Sequence, residues 1–166
     1  FNNHAERVKM ANLAQIANVL QSIVLTKGDK MVLTPTYYVF RMFRVHQNAR
    51  MIPMDIKCEN YTYGDKSIPA VSASASINDN GVIHISLANL NPSHEINLSC
   101  ILEGFNPGQM TGEVLTAAEM NAYNSFENQS AVKPASFSAF RMKDKTLEVS
   151  LPSKSVVVIE IKQKTK

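Results

Sequence analysis

Apolar residues follow two different rhythms along this chain, and the change falls near residue 50. Before it they recur every three or four positions: Val8, Leu13, Ile16, Leu20 and Ile23 in one stretch, then Tyr38, Val39, Met42, Phe43 and His46 in another. That spacing puts the apolar side chains on one face of a helix. The second stretch also carries a start signal. Thr34 can cap free backbone amides, and Pro35 sits in the first turn, where its lack of an N–H leaves no bond unmade. The pattern predicts helices over residues 8–23 and 35–47.

After Met51 the period falls to two. "AVSASASI" alternates Ala with Ser, "VIHISLANL" puts Ile83, Ile85 and Leu87 on one face, and "EINLSCILEG" does the same with Ile96, Leu98 and Cys100. Between the first two lies "NDNG", where Asn80 and Gly81 tolerate the positive φ of a tight hairpin turn. Further strands are predicted in "MIPMDIKC", "QMTGEVLT", "ASFSAF", "TLEVSL" and "SVVVIEI". About eight short strands with no helix-length run between them predict a mainly β fold, an antiparallel two-sheet β-sandwich of jelly-roll type. The chain thus divides into a helical leader, residues 1–50, and a sandwich, residues 51–166.

Composition agrees with a globular protein: of 166 residues, 45% are hydrophobic and 19% charged, enough to bury a full core. The net charge of +3 is dispersed, apart from the terminal "KQKTK". That cluster reads as a solvated tail, so no nucleic-acid partner is expected. No apolar run reaches the roughly 18 residues of a spanning helix, and no membrane partner is expected. The N-terminus lacks the regions of a signal peptide, so any targeting signal would lie upstream of Phe1. Cys58 and Cys100 fall on separate predicted strands and read as free thiols. His4, His46, His84 and His94 stand apart from one another and from acidic residues at ligand spacing, so neither a metal nor a cofactor is expected.

Catalytic motifs do not appear: there is no GxSxG elbow, no phosphate-cradling glycine loop and no HExxH. Glu103, Glu113, Glu119, Glu127, Glu148 and Glu160 are scattered and read as solvent-facing, so no catalytic residue is assigned within the chain. Sugar binding has one foothold. Tyr61 and Tyr63 in "NYTYG" share a face of an extended strand, and with Tyr123 they are the candidate sugar-stacking residues of an independent carbohydrate-binding module. Packing at an edge strand is the competing role, and the chain has no Trp.

Four separated stretches carry a resemblance. "HAERVKMANLAQIANVLQSIVLT", "MVLTPTYYVFRMFRVHQ", "LTAAEMNAYNSFENQSAVKP" and "LPSKSVVVIEI" are similar, in order and spacing, to the C-terminal part of the α-L-arabinofuranosidases of glycoside hydrolase family 51. Strand patterning alone does not demand an Asn-Ser-Phe-Glu-Asn loop after an Ala-Glu-Met-Asn-Ala run. The last stretch is weak by itself, since any terminal strand could read Val-Val-Val-Ile.

The resemblance implies that a (β/α)8 catalytic barrel of the same polypeptide precedes this chain. Its two glutamates, which hydrolyse terminal arabinofuranosyl residues with retention, would both lie before Phe1, and the chain alone would be inactive. Residues 1–50 would be the barrel's remnant, with an eighth strand over residues 7–14 and an eighth helix from Pro35. Gln15 and Asn18, just past that strand, would face the arabinose subsite of the intact enzyme, since substrate meets such barrels at the C-terminal ends of their strands. The sandwich and the "NAYNSFENQ" loop would press on the barrel, and arabinose-containing glycans would be met only through the intact enzyme. An uncovered leader carrying Val8, Met10, Leu13, Ile16, Leu20 and Ile23 predicts self-association or folding back onto the sandwich, with residues 51–166 the better-behaved unit.

Overall fold

The molecule is seen in a computed structural model that describes residues 1–13 and 15–164. Its first element is a short 3-10 turn at Asn2–His4. A hairpin follows, β1 (Val24–Lys27) and β2 (Lys30–Leu33), then helix α1 (Pro35–Phe43) and a second 3-10 turn at Arg44–His46. The remaining strands are β3 (Arg50–Ile52), β4 (Asn60–Tyr63), β5 (Lys66–Pro69), β6 (Val71–Ile77), β7 (Ile83–Asn89), β8 (Ile96–Ile101), β9 (Pro107–Leu115), β10 (Ala135–Ser136), β11 (Phe140–Lys143), β12 (Thr146–Leu151) and β13 (Ser155–Gln163).

Two sheets form the sandwich: a six-stranded one in the order β10-β9-β13-β7-β6-β3 and a three-stranded one in the order β11-β12-β8. Every pairing between these strands is antiparallel. The period-two pattern sorts the side chains. Ala73 and Ala75 of β6, Ile83, Ile85 and Leu87 of β7, and Val157, Ile159 and Ile161 of β13 face inward. They meet Ile96 of β8 and Leu147, Val149 and Leu151 of β12 in one buried core. Ala73 and Ala75 on β6 sit opposite Leu87 and Ile85 on β7. The ribbons β1-β2 and β4-β5 stand outside both sheets.

Helix α1 starts where the sequence says. The Thr34 hydroxyl accepts a bond from Tyr37 N at 3.4 Å and donates to Ser22 O at 2.6 Å. Met42 and Val39 of its inner face pack with Leu115, Val132 and Val158 into a second cluster on the outside of the six-stranded sheet. The molecule is therefore three layers deep at this point: helix, large sheet, small sheet.

The predicted helix over residues 8–23 is not found. Asn18 and Gln21 adopt left-handed backbone angles, φ 57° and 59°, which interrupt a right-handed helix. Met10, Ile16 and Leu20 are 76%, 68% and 91% exposed. The implied strand over residues 7–14 is not seen either, since residues 7–13 lie in no strand and Ala14 is outside the described residues. What remains of a parallel pairing is one isolated bridge, Ala17 to Val24. Apolar spacing of three and four here serves an irregular segment, without a layer to cover it.

Four strands fall where none was predicted: the two of the β1-β2 hairpin, turning at Gly28 with φ +60°, and β5 and β11. The "NDNG" hairpin exists, but the loop runs from Asn78 to Val82 and only Gly81 takes the left-handed angle, φ +73°. Asn78 shapes the turn: its Oδ1 accepts from both Asn80 N and Val82 N at 3.0 Å. Both cysteines are free and half-buried. Thr165 and Lys166 of the basic tail lie outside the described residues.

Candidate functional site

The outward half of the strand alternation builds a face with two characters. Strand register sets Ser74, Ser86, Val158 and Glu113 in one row and Ser76, His84, Glu160 and Thr111 in the next. Around Leu115, Val156 and Val158 the face is apolar and takes α1. Toward β6 and β7 it is polar, yet Ser76 and Ser86 are buried, because the turn after α1 lays His46 across them. His46 Nδ1 lies 2.7 Å from Ser76 Oγ, and Nε2 lies 2.5 Å from Ser86 Oγ. A neutral imidazole has one donor and one acceptor nitrogen, and the two hydroxyls rotate to answer either tautomer. Burial, reinforced by the nearby His84, pushes the His46 pKa down to about 4.

Polar contacts pin the rest of the leader to the same sheet. Arg41 of α1 pairs with Glu113 of β9. In the N-terminal turn, Asn2 Nδ2 donates to Ser74 Oγ at 3.2 Å and Asn3 Nδ2 to Ala73 O at 2.9 Å. His84 Nε2 lies 3.3 Å from Glu160 Oε2, while its Nδ1 is buried with no partner among the described residues.

A serine held by a histidine is the geometry of an activated nucleophile. Here it has another meaning. Ser86 and Ser76 are only 2% and 3% exposed, so no substrate reaches their hydroxyls, and the contact fastens the turn after α1 to the sheet.

The loop after β9 closes the other side of α1. Asn124 is buried; its Nδ2 donates to Leu33 O at 2.8 Å and to Val132 O at 2.9 Å, and its Oδ1 accepts from Val132 N at 2.7 Å. One amide thus ties the "NAYNSFENQ" loop to β2 and to its own far end.

Two sequence expectations need correction. The histidines are distant in sequence but not in space, since β7 and the turn after α1 bring His84 and His46 within electrostatic reach. Three of the glutamates are not simply solvated: Glu113 meets Arg41, Glu148 meets Arg141 at 2.5 Å and Glu160 meets His84, each with its side chain about a third exposed. Among the described residues no three His, Cys, Asp or Glu side chains gather as a metal ion would need.

Gln15 and Asn18 lie in the irregular leader, Tyr61 and Tyr63 on β4, and Tyr123 on the loop after β9. Gln15 is exposed. Asn18, three residues on, is tied to β1, donating from Nδ2 to Thr26 Oγ1 at 2.8 Å and accepting from Thr26 N at 2.7 Å. Tyr61 packs against the main core, whereas Tyr63 on the same strand is 78% exposed. Tyr123 is 70% exposed, but on the loop that closes over α1 rather than on the β4-β5 ribbon. The His46 cluster was the feature sequence reasoning missed, although His46 at the end of the helical apolar period and the serine alternation of β6 were its traces.

The fold is a β-sandwich that carries a helix on its larger sheet and an exposed apolar leader. The chain belongs to the α-L-arabinofuranosidase C-terminal domain family, whose pattern matches residues 1–155. It is 47% identical over 162 residues to an intracellular exo-α-L-arabinofuranosidase of Bacteroides ovatus, which covers 97% of this chain and 32% of that protein. In structure it superposes on the family 51 arabinofuranosidase of Xanthomonas axonopodis pv. citri with a TM-score of 0.95 at 41% identity, covering 98% of this chain and 33% of that one. The thermostable family 51 α-L-arabinofuranosidase of Thermotoga petrophila RKU-1 gives 0.81 at 26% identity, over 95% of this chain and 35% of the other. The chain thus spans about a third of the length of these relatives.

Proposed function

We propose that this chain is the C-terminal accessory domain of a retaining α-L-arabinofuranosidase that removes terminal arabinofuranosyl residues from arabinose-containing glycans. The observation that carries this reading is the 47% identity, running through 97% of the chain, to a protein named for that activity. The retaining route needs two carboxyl groups about 5–5.5 Å apart, one as acid and base and the other as nucleophile. In this chain Glu113, Glu148 and Glu160 are each held by a cation or histidine on a sheet face. The pair is therefore assigned to the other two thirds of the enzyme, and the domain's work is packing and rigidity.

Residues 1–50 are then the end of the catalytic barrel, residues 51–166 the accessory sandwich, and α1 the element that joins them. Exposed Met10, Ile16 and Leu20 fit a segment covered by neighbouring barrel strands and helices. Gln15 and Asn18 border the arabinose subsite in the intact enzyme. The Asn18–Thr26 bonds hold that turn in shape, and exposed Gln15 is the better placed of the two to meet a sugar hydroxyl.

The test is release of the chromophore from an aryl α-L-arabinofuranoside. The longer enzyme should turn it over and the 166-residue chain should not exceed the buffer rate. Turnover by the chain, abolished by Glu113→Gln, Glu148→Gln or Glu160→Gln, would refute the assignment.

A further inference from the structure

The outward face of the smaller sheet carries a polar depression. Strand register lays Ser99, Glu148 and Arg141 in one row across β8, β12 and β11, with Asn97 and Ser150 in the row beside it. Leu98 and Val149, between them along the strands, pack into the core, so the floor between the polar side chains is strand backbone. With Ser138 from the segment leading into β11, they line a cavity of about 400 Å³. That lies toward the lower end of the ~300–1,000 Å³ range of small-molecule sites. Part of its hydrogen-bonding capacity is used within the protein: Arg141 Nε donates to Glu148 Oε2 at 2.5 Å, and Ser150 Oγ donates to Asn97 Oδ1. The Nη groups of Arg141, Oε1 of Glu148, Nδ2 of Asn97 and the hydroxyls of Ser99 and Ser138 have no protein partner among the described residues. The two internal bonds hold these free groups side by side before any ligand arrives.

Arg141 and Glu148 are the charged residues that line the cavity, and their charges cancel. An anion or a cation therefore meets one neighbour that repels it for each that attracts it. A hydroxyl suits both, since it accepts from a guanidinium and donates to a carboxylate, and adjacent hydroxyls on one ring can do the two at once. Strands ~4.8 Å apart make the three-residue row about 10 Å wide, the reach of two linked sugar rings. We propose that this face is a saccharide-binding site that takes a neutral sugar chain through its hydroxyls. It uses none of Tyr61, Tyr63 and Tyr123. That the ligand is a neutral polyol rests on the cavity alone; that it is an arabinose-containing glycan rests on the function proposed above. A peptide fits less well, because the cavity offers its apolar side chains no pocket of their own.

Amide NMR of the 166-residue chain, titrated with arabinotriose, tests this. Without an aromatic ring to stack on, polar contacts give half-saturation on the order of 1 mM. The signals of Asn97, Ser99, Glu148 and Ser150 and the Nε–H of Arg141 should shift together. Arg141→Ala should weaken binding about tenfold or more. Lys145→Ala, in the turn of the same hairpin and outside the cavity, should leave it unchanged. Asn97→Ala is the second variant, with a loss in the same direction, should Arg141→Ala not fold. No shift up to about 50 mM sugar, or shifts confined to Tyr61, Tyr63 or Tyr123, would overturn the site. Shifts of the cavity residues on concentrating the chain without sugar would assign the face to a second copy and overturn it too. The two readings fail separately. An unshifted cavity, in a chain whose longer enzyme still cleaves the aryl arabinofuranoside, overturns the site and leaves the accessory-domain reading standing. Cavity shifts beside an inactive longer enzyme would support the site and refute that reading.

Discussion

Acid should loosen the seat of α1, and His46 is the group through which it acts. Its pKa is pushed from 6.5 down to about 4, first by burial and then by the neighbouring His84. A lowered histidine pKa means that, between pH 6.5 and about 4, the unfolded chain holds a proton that the folded chain refuses. The stabilising contribution is therefore whole above pH 6.5 and is lost as pH falls toward 4. The gap between 6.5 and about 4, at about 1.4 kcal/mol per tenfold change in proton affinity, sets a ceiling of ~3.4 kcal/mol. The ring is not fully buried, and solvent screening reduces that ceiling to about 1–2 kcal/mol. The assay is urea unfolding at pH 7.5, 6.5, 5.5 and 4.5 for the chain and for His46→Gln, whose amide offers Ser76 and Ser86 one donor and one acceptor without a titrating proton. At pH 7.5 the variant should be about 1 kcal/mol less stable, from lost ring packing beside Phe43 and imperfect hydrogen bonds. By pH 4.5 the deficit should have vanished or reversed. Carboxylates common to both proteins cancel in the difference, so a deficit constant across the four pH values would refute the account of His46.

Gly112→Ala should destabilise by about 1–3 kcal/mol in the same assay, because its Cβ would lie 2.7 Å from the backbone carbonyl oxygen of Phe137. An unchanged midpoint would show that β9 and the segment after β10 are not held together as described. Asn124→Ala removes three hydrogen bonds and strands buried backbone groups of Leu33 and Val132, at a cost of about 2–4 kcal/mol. Limited proteolysis should then cut the loop between residues 116 and 134 faster than in the parent chain. Against the sequence expectation that residues 51–166 behave better alone, truncation to that segment strips α1 from Leu115, Val132 and Val158 and should cause aggregation by light scattering, whereas a chain beginning at Ser22 should stay dispersed. A monomeric 51–166 with an unaltered midpoint would show that the helix contributes nothing to the sandwich.

The sandwich was legible in the sequence because one rule, apolar side chains at alternate positions, acts within each strand and needs no knowledge of the neighbours. β7 and β13 read correctly because both faces of each are committed by packing: Ile83, Ile85 and Leu87 inward, Val156 and Val158 outward against the helix. The leader was illegible for the opposite reason. Its apolar residues carry the period of a helix they do not form, and Met10, Ile16 and Leu20 are left exposed. Burial by other elements also escaped the pattern. "SASAS" looks like a strand with a wet face, but His46 and α1 turn that face into an interior, and Ser76 and Ser86 become the hydroxyls that satisfy an imidazole. A change of period marks where one kind of secondary structure gives way to another, and it carries no information on which side a helix spends its apolar face. Met42 and Val39 spend theirs on β9 and β13, so α1 is held by the sheet while its chain neighbours belong to the leader. On the function proposed above, a helix fastened in this way would transmit the position of one domain to the other, so the accessory domain would act on the active site through packing alone.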